Sequence, residues 1–295
     1  MTDATLELPD GRTLGYVDYG PADGAPVLWC HGGPGSRLEP KMVSAVASTI
    51  GQRLIGFDRP GYGLSTPRPG RAIESVVPDQ LALMDHLGIG AFYAVGVSTG
   101  GAYALATAAI APERVLGVVA CCALTDMRDE AARAAMTGDN GAIADIWNSS
   151  TRDEAIEFAT EQFGPDGSKM FGPAASGDTE AAGGLAEADQ VMFADPAFLA
   201  NMIETLQPMF AWGVEGYADD RLADGPGWGG FDVTTVTSPV IVLHGKSDTI
   251  CPVINAHHTA SIVPNAMLRL TEKDGHFSIV SHVPEALTDL LKAAA

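Results

Sequence analysis

The sequence predicts an α/β fold in which helices flank a mostly parallel central sheet. Two apolar, β-prone runs, residues 92–97 and 115–123, are typical of strands that are buried on both faces. Between them, residues 102–111 are rich in alanine and favour a helix, and Pro112 follows as a stop signal. A strand, a helix and a second strand in this order indicate parallel pairing through a right-handed crossover.

The remaining elements follow from short apolar runs and turn sequences. Residues 4–19 predict a β-hairpin, because the turn sequence Pro9–Arg12 divides two β-prone runs. Further strands are expected at 26–30, 52–57, 239–245 and 267–271, and further helices at 78–87, 253–263 and 284–293.

A long segment before the last two strands has a different character. Residues 127–232, here called the inserted segment, carry helical patterns but no strong strand signal. We therefore expect a mainly helical cap, or lid, over the edge of the sheet, with residues 1–126 and 233–295 forming the core. Most of its Met, Phe and Trp side chains are expected to pack within it, and a minority to line a pocket. The helical patterns lie at 128–136, 151–163 and 196–211.

The charge balance excludes several classes of partner. The formal net charge is −20, from 37 acidic and 17 basic residues. This argues against a nucleic-acid partner, which needs a basic face, and against binding to an anionic membrane surface. The inserted segment holds 20 of the acidic residues and only 5 basic ones. We interpret this charge run as a solvated surface; the alternative is a lid that attracts cationic substrates or repels anionic ones.

The sequence carries no signal for a membrane or for secretion. No apolar run approaches the roughly 20 residues that a membrane span needs. The first residues, Met1–Leu8, show neither the basic stretch nor the apolar stretch of a secretory signal. A cytoplasmic location is therefore expected.

Cysteines and two adjacent histidines are the candidates for a disulfide or a metal site. The cysteines show neither zinc-ligand spacing nor a C-x-x-C pattern, so buried, reduced thiols are expected. His257 and His258 are neighbours on a predicted helix, where they cannot face one ion together. We therefore expect neither a metal nor another cofactor. The cysteines are Cys30, Cys121, Cys122 and Cys251.

The stretch Gly96–Gly100 joins a predicted strand to the helix that follows it. Its G-x-S-x-G pattern places Ser98 at the apex of a sharp turn, with glycines where a Cβ atom would clash. The first N–H groups of the helix would then lie beside Ser98 Oγ, where they can hold an oxyanion. The pattern alone is also compatible with an ordinary glycine- and serine-rich turn.

A glycine-rich loop, His31–Ser36, follows an earlier strand. It lacks both glycine motifs that bind phosphates, so its expected use is to offer the N–H of Gly33 as a second oxyanion donor. We interpret His31 as a brace of this loop rather than as a catalytic base. Asp58 and Arg59, after the next strand, are expected to tie loops beneath the site.

Two more reactive side chains follow predicted strands near the end of the chain. Asp248 comes after the strand at 239–245, and His276 comes after the strand at 267–271. Ligands and catalytic groups gather at the carboxyl ends of such strands, so Ser98, Asp248 and His276 are expected to lie together.

With these motifs in this order, the chain resembles the α/β-hydrolase superfamily. The motifs that carry the resemblance are HGGPGS, DRPGYGLS, GVSTGG, HGKSD and DGH, and they span essentially the whole chain. The resemblance implies the α/β-hydrolase fold, with Ser98 as nucleophile, His276 as general base and Asp248 as the acid that orients His276. It also implies that the N–H groups of Gly33 and Thr99 stabilise a tetrahedral oxyanion.

The resemblance leaves alternatives for the acid and for the activity. Some members place the acid after the preceding strand, which makes Asp126 the alternative to Asp248. HGGPGS resembles prolyl iminopeptidases, but Thr99 stands where they usually carry tryptophan, and DRPGYGLS replaces their DQRG-type segment. The elbow is closer to esterases and cofactor-free haloperoxidases, so we expect a carboxylic-ester hydrolase acting on small or medium acyl substrates. The alternatives are an aminopeptidase whose acidic lid captures an amine and a non-catalytic ligand-binding member of the fold.

Overall fold

The structure, a computed structural model, describes residues 2–137, 141–170 and 184–294. Within these ranges, no helix is long and apolar enough to cross a membrane. The strands are β1 (Thr2–Glu7), β2 (Thr13–Tyr19), β3 (Ala25–Cys30), β4 (Gln52–Phe57), β5 (Phe92–Val97), β6 (Val115–Cys121), β7 (Ala211–Val214), β8 (Val240–Gly245) and β9 (Ala266–Thr271). The α-helices are α1 (Lys41–Thr49), α2 (Val77–His86), α3 (Gly100–Ile110), α4 (Glu130–Thr137), α5 (Gly141–Trp147), α6 (Arg152–Phe163), α7 (Glu187–Phe193), α8 (Pro196–Leu206), α9 (Glu215–Asp224), α10 (Ile254–Ile262) and α11 (Val283–Ala294).

One sheet of eight strands organises the fold, in the order β1-β2-β4-β3-β5-β6-β8-β9. β1 pairs antiparallel with β2, and β2 pairs antiparallel with β4, as a hairpin at the start of the chain requires. The pairs from β4 across to β9 are parallel. The predicted α/β fold with a mostly parallel sheet is therefore confirmed.

β5 lies inside the sheet, and each of its 6 residues is buried. Phe92 and Ala94 pack on the face that α2, α3 and α10 cover, whereas Tyr93 and Val95 pack on the face that α1 and α11 cover. Burial on both faces explains why this strand is continuously apolar. Because parallel strands end at the same edge, the loops after β5, β8 and β9 meet there.

The inserted segment contributes α4 to α9 and β7 among its described residues, and its residues 138–140 and 171–183 lie outside them. The helical pattern predicted at 196–211 is interrupted: α8 ends at Leu206, and a 3₁₀ turn and β7 follow. Pro208 explains the break, because proline lacks the N–H that an α-helix interior needs. The definition of this segment as a separate cap remains a prediction.

The side chains expected to form the core of the inserted segment divide into three groups. Met209 and Phe210 are buried with α6 and α9, as predicted. Met202 packs against the same cluster and also lines a cavity, as expected for a minority of these side chains. Trp212 is 47% exposed.

The sequence did not predict α9, whose residues are mostly charged or small. Its buried positions include Asp219, Asp220, Arg221 and Asp224, so it lacks the apolar stripe that marks an amphipathic helix. The interpretation of the acidic run as a solvated surface is wrong for these carboxylates and for the buried Asp189 of α7.

Candidate active site

Ser98 stands at the apex of the turn between β5 and α3. Its φ is +53°, in the left-handed region that non-glycine residues rarely adopt. A Cβ atom on Gly96 would lie 2.3 Å from the carbonyl oxygen of Gly100, and one on Gly100 would lie 2.0 Å from that of Cys30. Both flanking glycines are therefore required, and the strand–turn–helix context predicted for Ser98 is present.

Asp248 and His276, on the loops after β8 and β9, form a hydrogen-bonded pair. His276 Nδ1 lies 2.8 Å from Asp248 Oδ2. The other carboxylate oxygen, Oδ1, accepts the N–H groups of Ile250 at 2.9 Å and of Cys251 at 2.8 Å. The carboxylate is thus held by its own loop and aimed at the imidazole.

Burial and charge shift the pKa values of Asp248 and His276 in opposite directions. Burial alone would raise the pKa of the Asp248 carboxyl, but the His276 ring outweighs it and lowers that pKa below its ordinary value. Burial likewise disfavours protonation of His276, but the Asp248 carboxylate raises the pKa of His276 well above its ordinary value. The pair therefore favours an imidazolium beside a carboxylate.

Ser98 and His276 line one cavity of about 190 Å³, here called the site cavity. Its wall is mostly apolar, and the inserted segment supplies part of it. Gly32, Gly33 and Glu39 also line it, so the glycine-rich loop borders the same space as the serine. The apolar residues of its wall include Met42, Met170, Met202, Leu206, Ile250 and Phe277.

The glycine-rich loop lies against the turn that carries Ser98. A Cβ atom on Gly32 would lie 3.6 Å from Ser98 Cβ, and one on Gly33 would lie 2.8 Å from Thr99 Oγ1. The structure thus brings Gly33 and Thr99, the two predicted oxyanion donors, side by side next to Ser98.

Glu39 holds this loop in place, and sequence reasoning missed this residue. Its Oε1 accepts the indole N–H of Trp29 at 2.8 Å, and its Oε2 accepts the N–H of Gly32 at 2.9 Å. Burial raises the pKa of the Glu39 carboxyl above its ordinary value, although both bonds oppose the shift. A lone acid just after the HGGPGS motif is the sequence signal that could have revealed it.

His31 braces the loop, as predicted, and lies outside the site cavity. Its Nε2 accepts the N–H of Arg59 at 3.2 Å, so Nδ1 carries the hydrogen and donates to the carbonyl oxygen of Gly32 at 2.6 Å. Burial lowers the pKa of His31 well below its ordinary value, which keeps the ring neutral. Asp58 accepts the N–H groups of Arg37 and Leu64 beneath the loop.

Comparison with known proteins agrees with this geometry. A family model for the alpha/beta hydrolase fold matches residues 25–283. This chain belongs to the alpha/beta hydrolase family. The hydrolase is 26% identical to a non-heme chloroperoxidase of Streptomyces lividans over 97% of this chain and 98% of that protein. It is 28% identical to a proline iminopeptidase of Xylella fastidiosa over 92% of this chain and 89% of that protein.

A solved structure of a thermophilic esterase from Thermogutta terrifontis also resembles the hydrolase, with a TM-score of 0.68. The match covers 100% of this chain and 99% of the esterase, at 22% sequence identity. Likeness at this identity shows the fold alone.

Asp126, the alternative acid of this hydrolase, has other partners. Its Oδ2 lies 2.5 Å from Arg128 Nη2, and its Oδ1 accepts the N–H of Trp228 at 3.0 Å. Burial would raise the pKa of Asp126, but the bonds from Arg128 and Trp228 lower it. The structure thus pairs His276 with Asp248 and ties Asp126 to a neighbouring loop.

The thiols of the hydrolase give little basis for a metal site. All four cysteines are buried and free, as expected. Possible ligand atoms of Cys122, Asp248 and His276 lie within 4.8 Å of one another. However, burial raises the pKa of the Cys122 thiol well above its ordinary value, and a thiol ligates metals as a thiolate. The histidine and the aspartate already bind each other, so this cluster belongs to the candidate active site.

A network of buried ions joins α9 to the core of the hydrolase. The Asp220 carboxylate accepts hydrogen bonds from Arg59 Nη2 and Arg71 Nη2, each at 2.6 Å. It also accepts hydrogen bonds from the hydroxyl groups of Tyr62 at 2.7 Å and Tyr103 at 2.9 Å. Burial would raise the pKa of Asp220, but the two arginines lower it below its ordinary value. The Asp220 carboxylate is therefore bound to arginines and tyrosine hydroxyls rather than presented to a ligand.

Proposed function

We propose that this alpha/beta hydrolase is a serine-dependent carboxylic-ester hydrolase that works through an acyl-enzyme. The observation that carries the proposal is the shared cavity of Ser98 and His276. Ser98 occupies the positive-φ apex of a strand-to-helix turn, and His276 is bonded to the buried Asp248. A nucleophile, a base and an orienting acid in this relation are the parts of a serine hydrolase.

In the proposed mechanism, Ser98 Oγ attacks the ester carbonyl and gives its proton to His276 Nε2. Asp248 holds the ring by the bond at Nδ1 and stabilises the imidazolium that forms. The tetrahedral intermediate then collapses: the bond to the alcohol breaks, and His276 returns the proton to the leaving oxygen. Water then attacks the acyl-enzyme and gives a proton to His276, which returns it to Ser98 Oγ as the bond to the acyl group breaks and the carboxylic acid leaves.

The N–H groups of Gly33 and Thr99 are proposed to bind the oxyanion of both tetrahedral intermediates. The close approach of the two residues beside Ser98 supports this role. Removing one such donor costs roughly 3–4 kcal/mol of transition-state stabilisation in serine hydrolases. The chemistry needs no metal or other cofactor.

The lining of the site cavity supports an acyl substrate of small or medium size. About 190 Å³ bordered by methionine, leucine, isoleucine and phenylalanine side chains suits an apolar acyl chain. We propose that the inserted segment acts as a cap, because Met170, Met202 and Leu206 form part of this wall. A cytoplasmic location, and the exclusion of nucleic-acid and membrane partners, remain predictions from composition.

An aminopeptidase that removes an N-terminal proline is the second candidate. The similarity to a proline iminopeptidase favours it, and so does Glu39, a carboxyl group that borders the site cavity. Against it, both oxygens of Glu39 already accept hydrogen bonds, and the buried Asp220 and Asp224 of the inserted segment are paired with arginines. We therefore rank the ester hydrolase first.

Initial rates on a matched substrate set test the proposal: p-nitrophenyl esters of increasing acyl length, and proline p-nitroanilide. Ser98→Ala is the control, because it removes the nucleophile and leaves the turn intact. We expect ester turnover that disappears in Ser98→Ala, with an optimum at short or medium chains. Faster cleavage of the anilide would favour the aminopeptidase, and ester turnover that survives in Ser98→Ala would refute the mechanism.

A further inference from the structure

Arg221, on α9 of the inserted segment, reaches both residues that are proposed to bind the oxyanion. Its Nη2 donates a hydrogen bond to Thr99 Oγ1. The same nitrogen would lie 2.8 Å from a Cβ atom on Gly33. Arg221 is 1% exposed and does not line the site cavity, whereas Gly33 does, so the guanidinium lies behind the part of the cavity wall that Gly33 forms.

The guanidinium lies closer to this wall than its counter-charge does. Arg221 Nη2 forms an ion pair with Asp224 Oδ2 at 2.7 Å, and Asp224 also accepts the indole N–H of Trp147. The three atoms nearest to a Cβ position on Gly33 nevertheless belong to Arg221 and Thr99. A positive charge therefore faces the glycine-rich loop.

The ion pair by itself gives a weak reason to keep an arginine here. Arg221 Nε makes no hydrogen bond within the described part of the chain, and a buried, unpartnered N–H reduces stability. Buried ion pairs are in general poor sources of stability, because desolvation cancels the attraction. A group placed at such a cost beside reacting atoms often serves the reaction.

We propose that Arg221 is a positioning residue of the oxyanion hole, which holds Gly33 and Thr99 together and places a positive charge behind the oxyanion. The inference rests on the proposed function, because an oxyanion forms only if the hydrolase acts on a carbonyl group. Negative charge that develops in front of Gly33 and Thr99 is stabilised by a fixed cation a few ångströms behind them, since little water intervenes to screen it. The inserted segment then contributes to the chemical step as well as to the walls of the cavity.

Three variants separate this role from a structural one. Arg221→Met removes the charge and keeps an unbranched side chain, and Arg221→Lys keeps a charge without the planar fork. Arg152→Met is the matched control, because Arg152 also pairs with acids of α9, Asp219 and Glu215, on the inserted segment. Each variant is assayed for kcat and KM on a p-nitrophenyl ester.

Two ligands of similar shape complete the test. With a boronic acid, Ser98 Oγ forms a bond to boron while the serine proton passes to His276. The product is a tetrahedral boronate anion that mimics the tetrahedral intermediate. The amide analogue of the ester is uncharged and trigonal. Dissociation constants for both ligands are measured by calorimetry.

We expect Arg221→Met to lower kcat roughly 10- to 100-fold and to weaken binding of the boronic acid by a similar factor. KM and the affinity for the amide should change less than about threefold, because the ground state carries little charge. Arg221→Lys should recover part of the loss, and Arg152→Met should match the wild type within about twofold. Equal weakening of both ligands, or unchanged kcat in Arg221→Met, would overturn the proposal.

Thermal unfolding would reveal whether Arg221→Met folds, and a further variant, Thr99→Val, covers the case in which it does not. Thr99→Val keeps the backbone N–H and removes the hydroxyl that accepts the hydrogen bond of Arg221. It should lower kcat with KM unchanged, and a wild-type kcat would contradict the inference. Wild-type protein that binds the boronic acid without ester turnover would refute only the ester proposal, since the ligand comparison remains readable. Wild-type protein that neither hydrolyses the ester nor binds the boronic acid would overturn both the ester proposal and the proposed role of Arg221.

Discussion

The carboxylate of Asp189 binds the backbone of His276: the N–H of His276 donates to Oδ2 at 2.8 Å. The other oxygen, Oδ1, accepts the N–H groups of Phe277 at 3.2 Å and of Ser278 at 2.8 Å, and the hydroxyl of Ser278 at 2.7 Å. A single acid of α7 thus satisfies the start of the 3₁₀ helix Ser278–His282 and fixes the loop that carries the proposed base. The inserted segment and the histidine loop are joined at this point.

We predict that Asp189→Asn lowers kcat on ester substrates roughly tenfold, because misplacement of the base reduces the rate. The amide offers one acceptor oxygen, and its NH₂ group faces N–H donors, so bonds to a charged acceptor worth about 1.5–3 kcal/mol each are lost. Steady-state kinetics and thermal unfolding measure the effect. Asp195→Asn, at the exposed cap of α8, is the control and should change kcat less than twofold. Unchanged kcat in Asp189→Asn would contradict the role of Asp189.

A second pair of variants separates the two candidate acids. Asp248→Asn should lower kcat roughly 10⁴-fold, because an amide oriented toward Nδ1 no longer stabilises the productive imidazole and imidazolium. Asp126→Asn should keep kcat and reduce the free energy of unfolding by about 1–3 kcal/mol, through loss of the bonds to Arg128 and Trp228. Kinetics and denaturant unfolding of both proteins provide the comparison. The reverse pattern would transfer the role of the acid to Asp126.

The pH dependence of kcat/KM should report His276, which acts as a base only when it is neutral. Burial lowers the pKa of His276, but the Asp248 carboxylate outweighs it and raises this pKa well above 6.5. Activity should therefore rise with pH along a limb whose midpoint lies above 6.5 in the wild type. In Asp248→Asn the largest influence that raises the pKa of His276 is removed, so the midpoint should move to lower pH as the plateau falls. A midpoint common to both proteins, measured over about pH 5 to 9, would refute this coupling.

Gly33→Ala should reduce kcat roughly 10²- to 10³-fold with a smaller change in KM, as loss of an oxyanion donor does. The new methyl group would lie 2.8 Å from both Thr99 Oγ1 and Arg221 Nη2, so the loop must shift. Gly90→Ala is the control, since nothing lies within 4 Å of its Cβ position. Equal kinetics for the two variants would show that the loop tolerates the change and would argue against Gly33 as a donor.

The framework of this site could be predicted from sequence because its signals are local. Residues 92–97 are continuously apolar, the glycines at 96 and 100 flank Ser98, and a helix-forming run follows within two residues. Asp248 and His276 were located in the same way, each just after a β-prone run. The choice of Asp248 over Asp126 came from spacing and family resemblance, and the geometry pairs Asp248 with His276.

The supporting residues could not be predicted, because each depends on a partner far away in the chain. Asp189 is one acid within a charged run, and its partner N–H belongs to a residue 87 positions later. Arg221 reaches Thr99 across 122 positions, from a helix with no apolar stripe. Composition assigns such residues to the surface, whereas only tertiary structure shows that their charges are paired and buried.

The buried carboxylate of Asp220 also constrains how this protein can change over evolutionary time. Arg59 and Arg71 reach it from two loops of the core, and each of the three side chains is fully buried. Replacement of Asp220 removes the carboxylate that both buried arginines share, and replacement of either arginine removes one of the two ion pairs of Asp220; breaking a buried ion pair in this way costs several kcal/mol. A single substitution at any of these positions is therefore expected to destabilise the protein rather than to be neutral. Among close relatives, residues 59, 71 and 220 should be retained together or exchanged together, as a covarying triplet.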